Sequence, residues 1–104
     1  MNNNFSSTYL EKHEDVRWII KEGATILLNP RTCRYHRLNK TASLVWDYAD
    51  GSRLPDEITT YVLNHFTLQP YEALAKRAEI KKMLYHLSNQ AQVLTPNTDR
   101  NPEY

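Results

Sequence analysis

The chain has only 2 glycines and a single cysteine in 104 residues, and Lys+Arg of 13 against Asp+Glu of 12 leaves a formal charge of +1. Each scarcity excludes something. Gly23 and Gly51 stand alone in the sequence, so no glycine-rich phosphate loop can form and nucleotide-dependent catalysis has no support. Cys33 alone makes neither an internal disulfide nor a multi-thiolate metal site, and a lone thiol suits a reducing compartment. A near-balanced charge supplies no chain-wide field to attract a polyanion. The longest apolar runs, Trp18-Ile19-Ile20 and Ile26-Leu27-Leu28, are too short to span a membrane, and Met1-Asn2-Asn3-Asn4 lacks the basic start of a signal peptide. The expectation is a cytoplasmic protein with no membrane partner.

Metal and nucleophile chemistry are equally thin. His13, His36, His65 and His86 fall on four different segments without His-x-x-x-His or Glu-x-x-His spacing, so no metal or other cofactor is expected. Cys33 and His36 lie three apart, on opposite faces of a strand, and Cys33 reads as a small, partly buried side chain rather than a nucleophile. Asp56-Glu57 is explained by a helix dipole before any acid–base role. No catalytic residue is assigned.

What is present is the pattern of one small α+β domain. Residues 1–14 are polar and read as a flexible tail with Phe5, Tyr9 and Leu10 as its anchors, residues 15–95 as the domain, and residues 96–104 as a second tail. Val16, Trp18 and Ile20 alternate with Arg17 and Lys21, the signature of a half-buried strand. Glu22-Gly23 makes a turn into a second strand, Ala24 to Leu28, and Asn29-Pro30-Arg31-Thr32 turns into a third, Cys33 to Leu38. Asn39 caps a helix over Lys40–Ala49 whose Ala42, Val45, Trp46 and Ala49 share a face, and Asp50-Gly51 ends it. A second helix starts at Pro55 with Ile58, Tyr61, Val62 and Phe66 as its buried stripe. A third runs from Pro70 to about Asn89 on Ala73, Ile80, Met83, Leu84 and Leu87, and Val93 to Pro96 suits a short closing strand. This is a three-stranded antiparallel meander followed by three helices.

Trp18 to Leu94 resembles the PqqD-like family, the RiPP recognition elements, over about three quarters of the chain. The resemblance is carried by Ile26-Leu27-Leu28-Asn29-Pro30-Arg31-Thr32-Cys33-Arg34-Tyr35-His36-Arg37-Leu38-Asn39, then Thr41-Ala42-Ser43-Leu44-Val45-Trp46 running into Asp50-Gly51, then Pro55-Asp56-Glu57-Ile58. It implies a winged helix-turn-helix fold and a non-catalytic module. In such modules the leader of a ribosomally made precursor peptide adds as a strand beside the third helix. The implied partner is a separate modifying enzyme, such as a radical SAM enzyme, a cyclodehydratase or a lasso-peptide protease. Two departures stand out: the third helix is a few residues longer than the family pattern, and the turn Ser88-Asn89-Gln90-Ala91-Gln92 has no glycine.

Residue by residue, the expected docking strand is Cys33, Arg34, Tyr35, His36, Arg37 and Leu38, because the last strand of a meander leaves one edge open to β-augmentation. Lys76, Glu79, Ile80 and Met83 are the expected wall. Arg34, His36 and Arg37 would favour acidic leader residues; Tyr35, Leu38 and Met83 would receive apolar ones. A proline at His36 would remove a ladder donor from that strand. A second stripe on the third helix, Tyr71, Leu74, Ala75, Ala78 and Tyr85, suits the N-terminal tail, an enzyme partner or a homodimer. Two other functions compete. Lys76, Arg77, Lys81 and Lys82 are what a DNA-binding winged helix would use, but Glu72 and Glu79 are interspersed, and no nucleic-acid partner is expected. A scaffold subunit would bind only the enzyme.

Overall fold

The structure, a computed structural model, describes residues 8–97; Phe5 and the stretch from 98 onward lie outside them. In chain order the elements are β1 (Leu10–Lys12), β2 (Arg17–Lys21), β3 (Ala24–Asn29), β4 (Arg34–Leu38), α1 (Lys40–Tyr48), β5 (Asp50–Arg53), α2 (Pro55–Leu63), α3 (Pro70–Tyr85), a π-helical turn (His86–Gln90) and β6 (Leu94–Pro96).

The meander forms as the turn chemistry predicts. Glu22 and Gly23 both take positive φ, 55° and 79°, which is what a two-residue hairpin turn between right-twisted strands requires. β2 and β3 pair in register from Lys21↔Ala24 to Arg17↔Leu28. At the other end Asn29 accepts the Arg31 N–H on its side-chain oxygen at 3.0 Å, closing the loop into β4. Cys33 is not part of that strand: it sits at φ 58° in the loop's last position, exposed, with its Sγ 3.6 Å from the Pro30 carbonyl. It is therefore neither partly buried nor on the docking edge.

Three corrections concern burial. Leu10 to Lys12 are not tail: β1 is the middle strand of a second sheet, ordered β5-β1-β6, and Leu10 is fully buried. That sheet draws Asp50-Gly51 into β5, a strand where only a helix stop is expected, and holds Pro96 opposite Leu10. The domain thus begins ahead of Asp15 and extends past residue 95. In β2, Val16 just ahead of the strand is buried, but Trp18 and Ile20 are exposed, Ile20 by 73%. The alternation is real, yet the cover is partial: Trp18 meets Trp46 of α1 edge-on at 5.3 Å, and Ile20 lies beyond it. In α2, Ile58 and Val62 are buried, whereas Tyr61 stacks on Tyr48 at 5.3 Å on the surface.

The helices pack as their apolar spacing indicates. Asn39 accepts the Ala42 N–H at 2.8 Å, and Ala42, Val45, Trp46 and Ala49 are all in the core. α2 and α3 begin alike: Pro55 and Pro70 take the first turn, where a missing N–H costs nothing. Glu57 and Glu72 then reach back to accept the N–H of Leu54 and of Gln69, each at 2.8 Å. The glycine-free end of α3 is solved by the π-helical turn and by Gln92, which takes the left-handed conformation at φ 57°. Among the described residues no helix is long and apolar enough to cross a membrane.

Candidate peptide-binding groove

Between β4 and the C-terminal part of α3 runs a groove of about 320 Å³ lined by Tyr35, His36, Arg37, Leu38, Asn39, Ala42, Met83, His86 and Leu87. Its wall is held in place by the far ends of two elements. Asn29, fully buried between β3 and β4, donates from Nδ2 to the carbonyls of Ala91 at 2.9 Å and Gln92 at 3.2 Å. Arg31 adds a bond to the Gln92 carbonyl at 2.7 Å. The hairpin loop is thereby fastened to the turn that follows α3.

Register decides which backbone groups the groove offers. With a two-residue turn, Lys21 and Ala24 form the pair that exchanges both hydrogen bonds, and the pattern alternates from there. Ala24, Ile26 and Leu28 consequently face β2 with their N–H and C=O, while Thr25, Leu27 and Asn29 face β4. The β4 partners of those three are Leu38, His36 and Arg34, whose polar groups are used on β3. The N–H and C=O of Tyr35 and Arg37 point outward from the sheet, into the groove. A proline at His36 would accordingly break the internal β3–β4 ladder, whereas a proline at Arg37 removes a donor from the free edge alone.

Side chains follow the same pleat. His36 and Leu38 lie on the inner face with Leu27 and Thr25; Tyr35 and Arg37 lie on the outer face with Leu28 and Ile26. Leu38 is buried at the groove floor and Tyr35 is 74% exposed. Of the expected wall, Met83 lines the groove, but Ile80 is fully buried in the core and offers a ligand nothing. Lys76 and Glu79 are not in this groove. They lie seven and four residues before Met83 on the same helix face, where Lys76 Nζ bonds Glu79 Oε1 at 3.3 Å and stands 4.3 Å over the Phe66 ring, which Lys40 approaches at 5.1 Å.

Two residues not anticipated as wall are His86 and Leu87. The sequence separates His36 from His86 by half the chain, and only the packing of α3 on the meander places them together. His86 Nδ1 lies 2.6 Å from Gln90 Oε1; since an amide oxygen only accepts, Nδ1 carries the proton. His36 Nε2 is buried with no hydrogen-bond partner. Burial, reinforced by His86 and Arg34, pushes the His36 pKa below its ordinary value. No group of three His, Cys, Asp or Glu side chains among the described residues is placed to hold a metal.

The meander has a second open edge, β2, whose outward groups belong to Trp18 and Ile20 by the same alternation. On the opposite side of α3, Tyr71, Leu74, Ala75, Ala78 and Tyr85 are all exposed, Tyr71 by 74% and Leu74 by 73%. Of the four cations a DNA-binding helix would use, Lys76 is paired with Glu79 and Lys81 with Asp56 at 3.3 Å.

Comparison with known proteins agrees with this geometry. Two solved structures share the fold. One described as "TbiB1 in Complex with the TbiA(beta) Leader Peptide" has a TM-score of 0.64 at 17% identity, covering 80% of this chain and 93% of that one. The other, "Lasso peptide synthetase B1 complexed with the leader peptide", has a TM-score of 0.60 at 15% identity, covering 85% of this chain and 99% of that one. No curated protein matches. The family model described as "Coenzyme PQQ synthesis protein D (PqqD)" matches residues 24–90, a span that holds both sides of the groove, and the chain belongs to the PqqD family.

Proposed function

We propose that this chain is a non-catalytic module that captures the leader segment of a ribosomally made precursor peptide as an added strand on β4 and presents the peptide to a separate modifying enzyme. The observation that carries the reading is the open backbone of Tyr35 and Arg37 beside a groove walled by Met83, His86 and Leu87. Main-chain bonds then supply affinity, and alternate side chains supply selection. Leader residues facing inward meet Leu38, Met83 and His36; those facing outward run beside Tyr35 and Arg37. Two similar folds were solved with leader peptides bound, which supports the same use here. The enzyme served belongs to the radical SAM, cyclodehydratase or lasso-peptide protease classes. It docks on the exposed Tyr71, Leu74, Ala78 and Tyr85 stripe, leaving the groove free. A free thiol at Cys33 fits work in the cytoplasm.

Peptides selected from a displayed random library of about 12 residues, enough for an added strand plus flanks, provide the probe. The test compares their affinity for the parent, Arg37→Pro and Ile20→Pro, the last placing the same lesion on the β2 edge. Loss of about tenfold or more in Arg37→Pro, equivalent to about 1.4 kcal/mol, with little change in Ile20→Pro is expected. Equal binding by all three folded proteins would rule out strand addition at β4.

A further inference from the structure

We propose that His36 and His86 form a carboxylate-binding subsite in the floor of the groove, so that the module selects an acidic side chain at one inward-facing position of the leader and takes up a proton as it binds. This rests on the reading that the leader lies along β4. Three structural facts point to it.

The first is the unpartnered Nε2 of His36. A buried polar atom without a hydrogen bond is costly, by about 1–3 kcal/mol, and is rarely left so in a native protein. Here it lies in a residue that lines an open groove. A ligand that shifts the side chains covering it, as commonly happens on binding, can satisfy it.

The second is the charge around it. From β4 the neighbour on the same face is Arg34, Arg37 lying on the outer face. β3 contributes no titratable group, since its residues are Ala-Thr-Ile-Leu-Leu-Asn. The helical wall contributes His86, whereas Lys40 at the start of α1 stands over the Phe66 ring. The nearest acid on α3, Glu79, is tied to Lys76. The charged groups that act on His36 are His86 and Arg34, and among the described residues no carboxylate is paired with it. An anion is the missing partner.

The third is the bonding of His86. Its Nδ1–H is spent on Gln90, leaving Nε2 as a lone pair while the ring is neutral and as a donor once it is protonated. A carboxylate arriving between the two rings gains a donor from both only if at least one proton comes with it, because the His86 ring proton is already on Nδ1. In the free protein, burial, with His86 and Arg34 beside it, disfavours the charged form of His36; a carboxylate in contact works against that balance. Binding therefore draws in a proton, and affinity falls as pH rises through the range where the complex deprotonates. Arg34 and Arg37 carry their charge at every working pH and would give acid preference without pH dependence, which separates their effect from that of the imidazoles.

The experiment uses the random peptide library, selected in parallel at about pH 5.5 and pH 8, a range spanning the ordinary histidine value but above that of Glu. Expected are peptides enriched in Asp or Glu at a single position at the lower pH, with affinity about tenfold weaker at the higher pH. The His36 ring should titrate at higher pH in the complex than in the free parent protein, read by NMR. Substitution His36→Gln should flatten the pH dependence, and His86→Gln should reduce it. Peptides that lose affinity in Arg37→Pro yet show no acidic position and no pH dependence would overturn the subsite while leaving strand addition intact. Peptides indifferent to Arg37→Pro would remove both. Because the ring titration is measured on the unaltered protein, a variant that fails to fold does not decide the outcome.

Discussion

Asn29 Nδ2 donates to the Ala91 carbonyl at 2.9 Å across 62 residues of sequence. This bond joins the loop that precedes β4 to the turn that ends the groove wall. Replacing Asn29 with Ala removes it, the second bond to Gln92 and the Arg31 N–H acceptor together. A loss of about 2 kcal/mol is expected, since the buried Ala91 carbonyl is left without this donor while the Gln92 carbonyl keeps only Arg31. Urea unfolding monitors it. Asn29→Asp keeps the acceptor for Arg31 but sets a carboxylate against two carbonyls, and should be at least as damaging.

The two glycines should respond very differently to alanine. At Gly23 an added Cβ meets nothing within 4 Å, so only the positive φ of 79° is penalised, by about 1 kcal/mol. At Gly51, φ is 89° and the Cβ would lie 2.8 Å from Asn97 Nδ2 and 3.1 Å from Glu11 Oε1. Asn97 in turn bonds the Gly51 carbonyl at 2.9 Å, so it cannot move freely. Gly51→Ala should cost clearly more than Gly23→Ala and should loosen β5-β1-β6, visible as faster amide exchange in that sheet.

His36 makes the free protein sensitive to mild acid. Its pKa in the folded state is lowered, chiefly by burial, so below the ordinary histidine value the unfolded chain binds more protons than the native one. Stability then rises with pH through that window and is lost as pH falls. Chemical denaturation at a series of pH values should show this slope in the parent and a flatter one in His36→Gln.

Asp50 acts in the same sense, in a lower pH window. The Ser52 hydroxyl at 2.6 Å, with the Ser52 N–H and Arg53 as smaller contributors, holds its carboxyl below the usual value of 3.8. The stability this contributes is present above the unfolded pKa and disappears as pH falls through the folded one. In Ser52→Ala the carboxyl should titrate at higher pH, as NMR of the Asp50 side chain would record.

The outer stripe of α3 can be separated from the groove. Leu74 is 73% exposed, so Leu74→Glu should alter stability by less than about 0.5 kcal/mol and leave peptide affinity unchanged. If the stripe carries the enzyme, as proposed above, association with it should weaken; unchanged enzyme binding in a Tyr71→Glu, Leu74→Glu double variant would remove that assignment.

Much of this molecule is legible in sequence because local chemistry acts alone. Glu22-Gly23 and Asn29-Pro30 define turns by their backbone preferences, Asn39 defines a helix start, and Ala42, Val45 and Trp46 fall on one helical face at spacings of three and four. Cys33 falls outside the strand expected for it because a non-glycine residue in the left-handed region carries no marker in sequence. Trp18 and Ile20 are exposed despite the half-buried pattern because alternation reveals a strand's two faces without revealing how far either is covered.

The sequence by itself determined the family, the meander, the helical starts and the strand with the open edge, all set by interactions between residues close in the chain. Only the tertiary structure decided the rest. It placed Leu10–Lys12 at the centre of a second sheet, sank Ile80 into the core, and turned Tyr35 and Arg37 rather than His36 outward along the edge. It also set His86 beside His36. Those outcomes depend on which side of an element meets another, and that is fixed by packing between segments tens of residues apart.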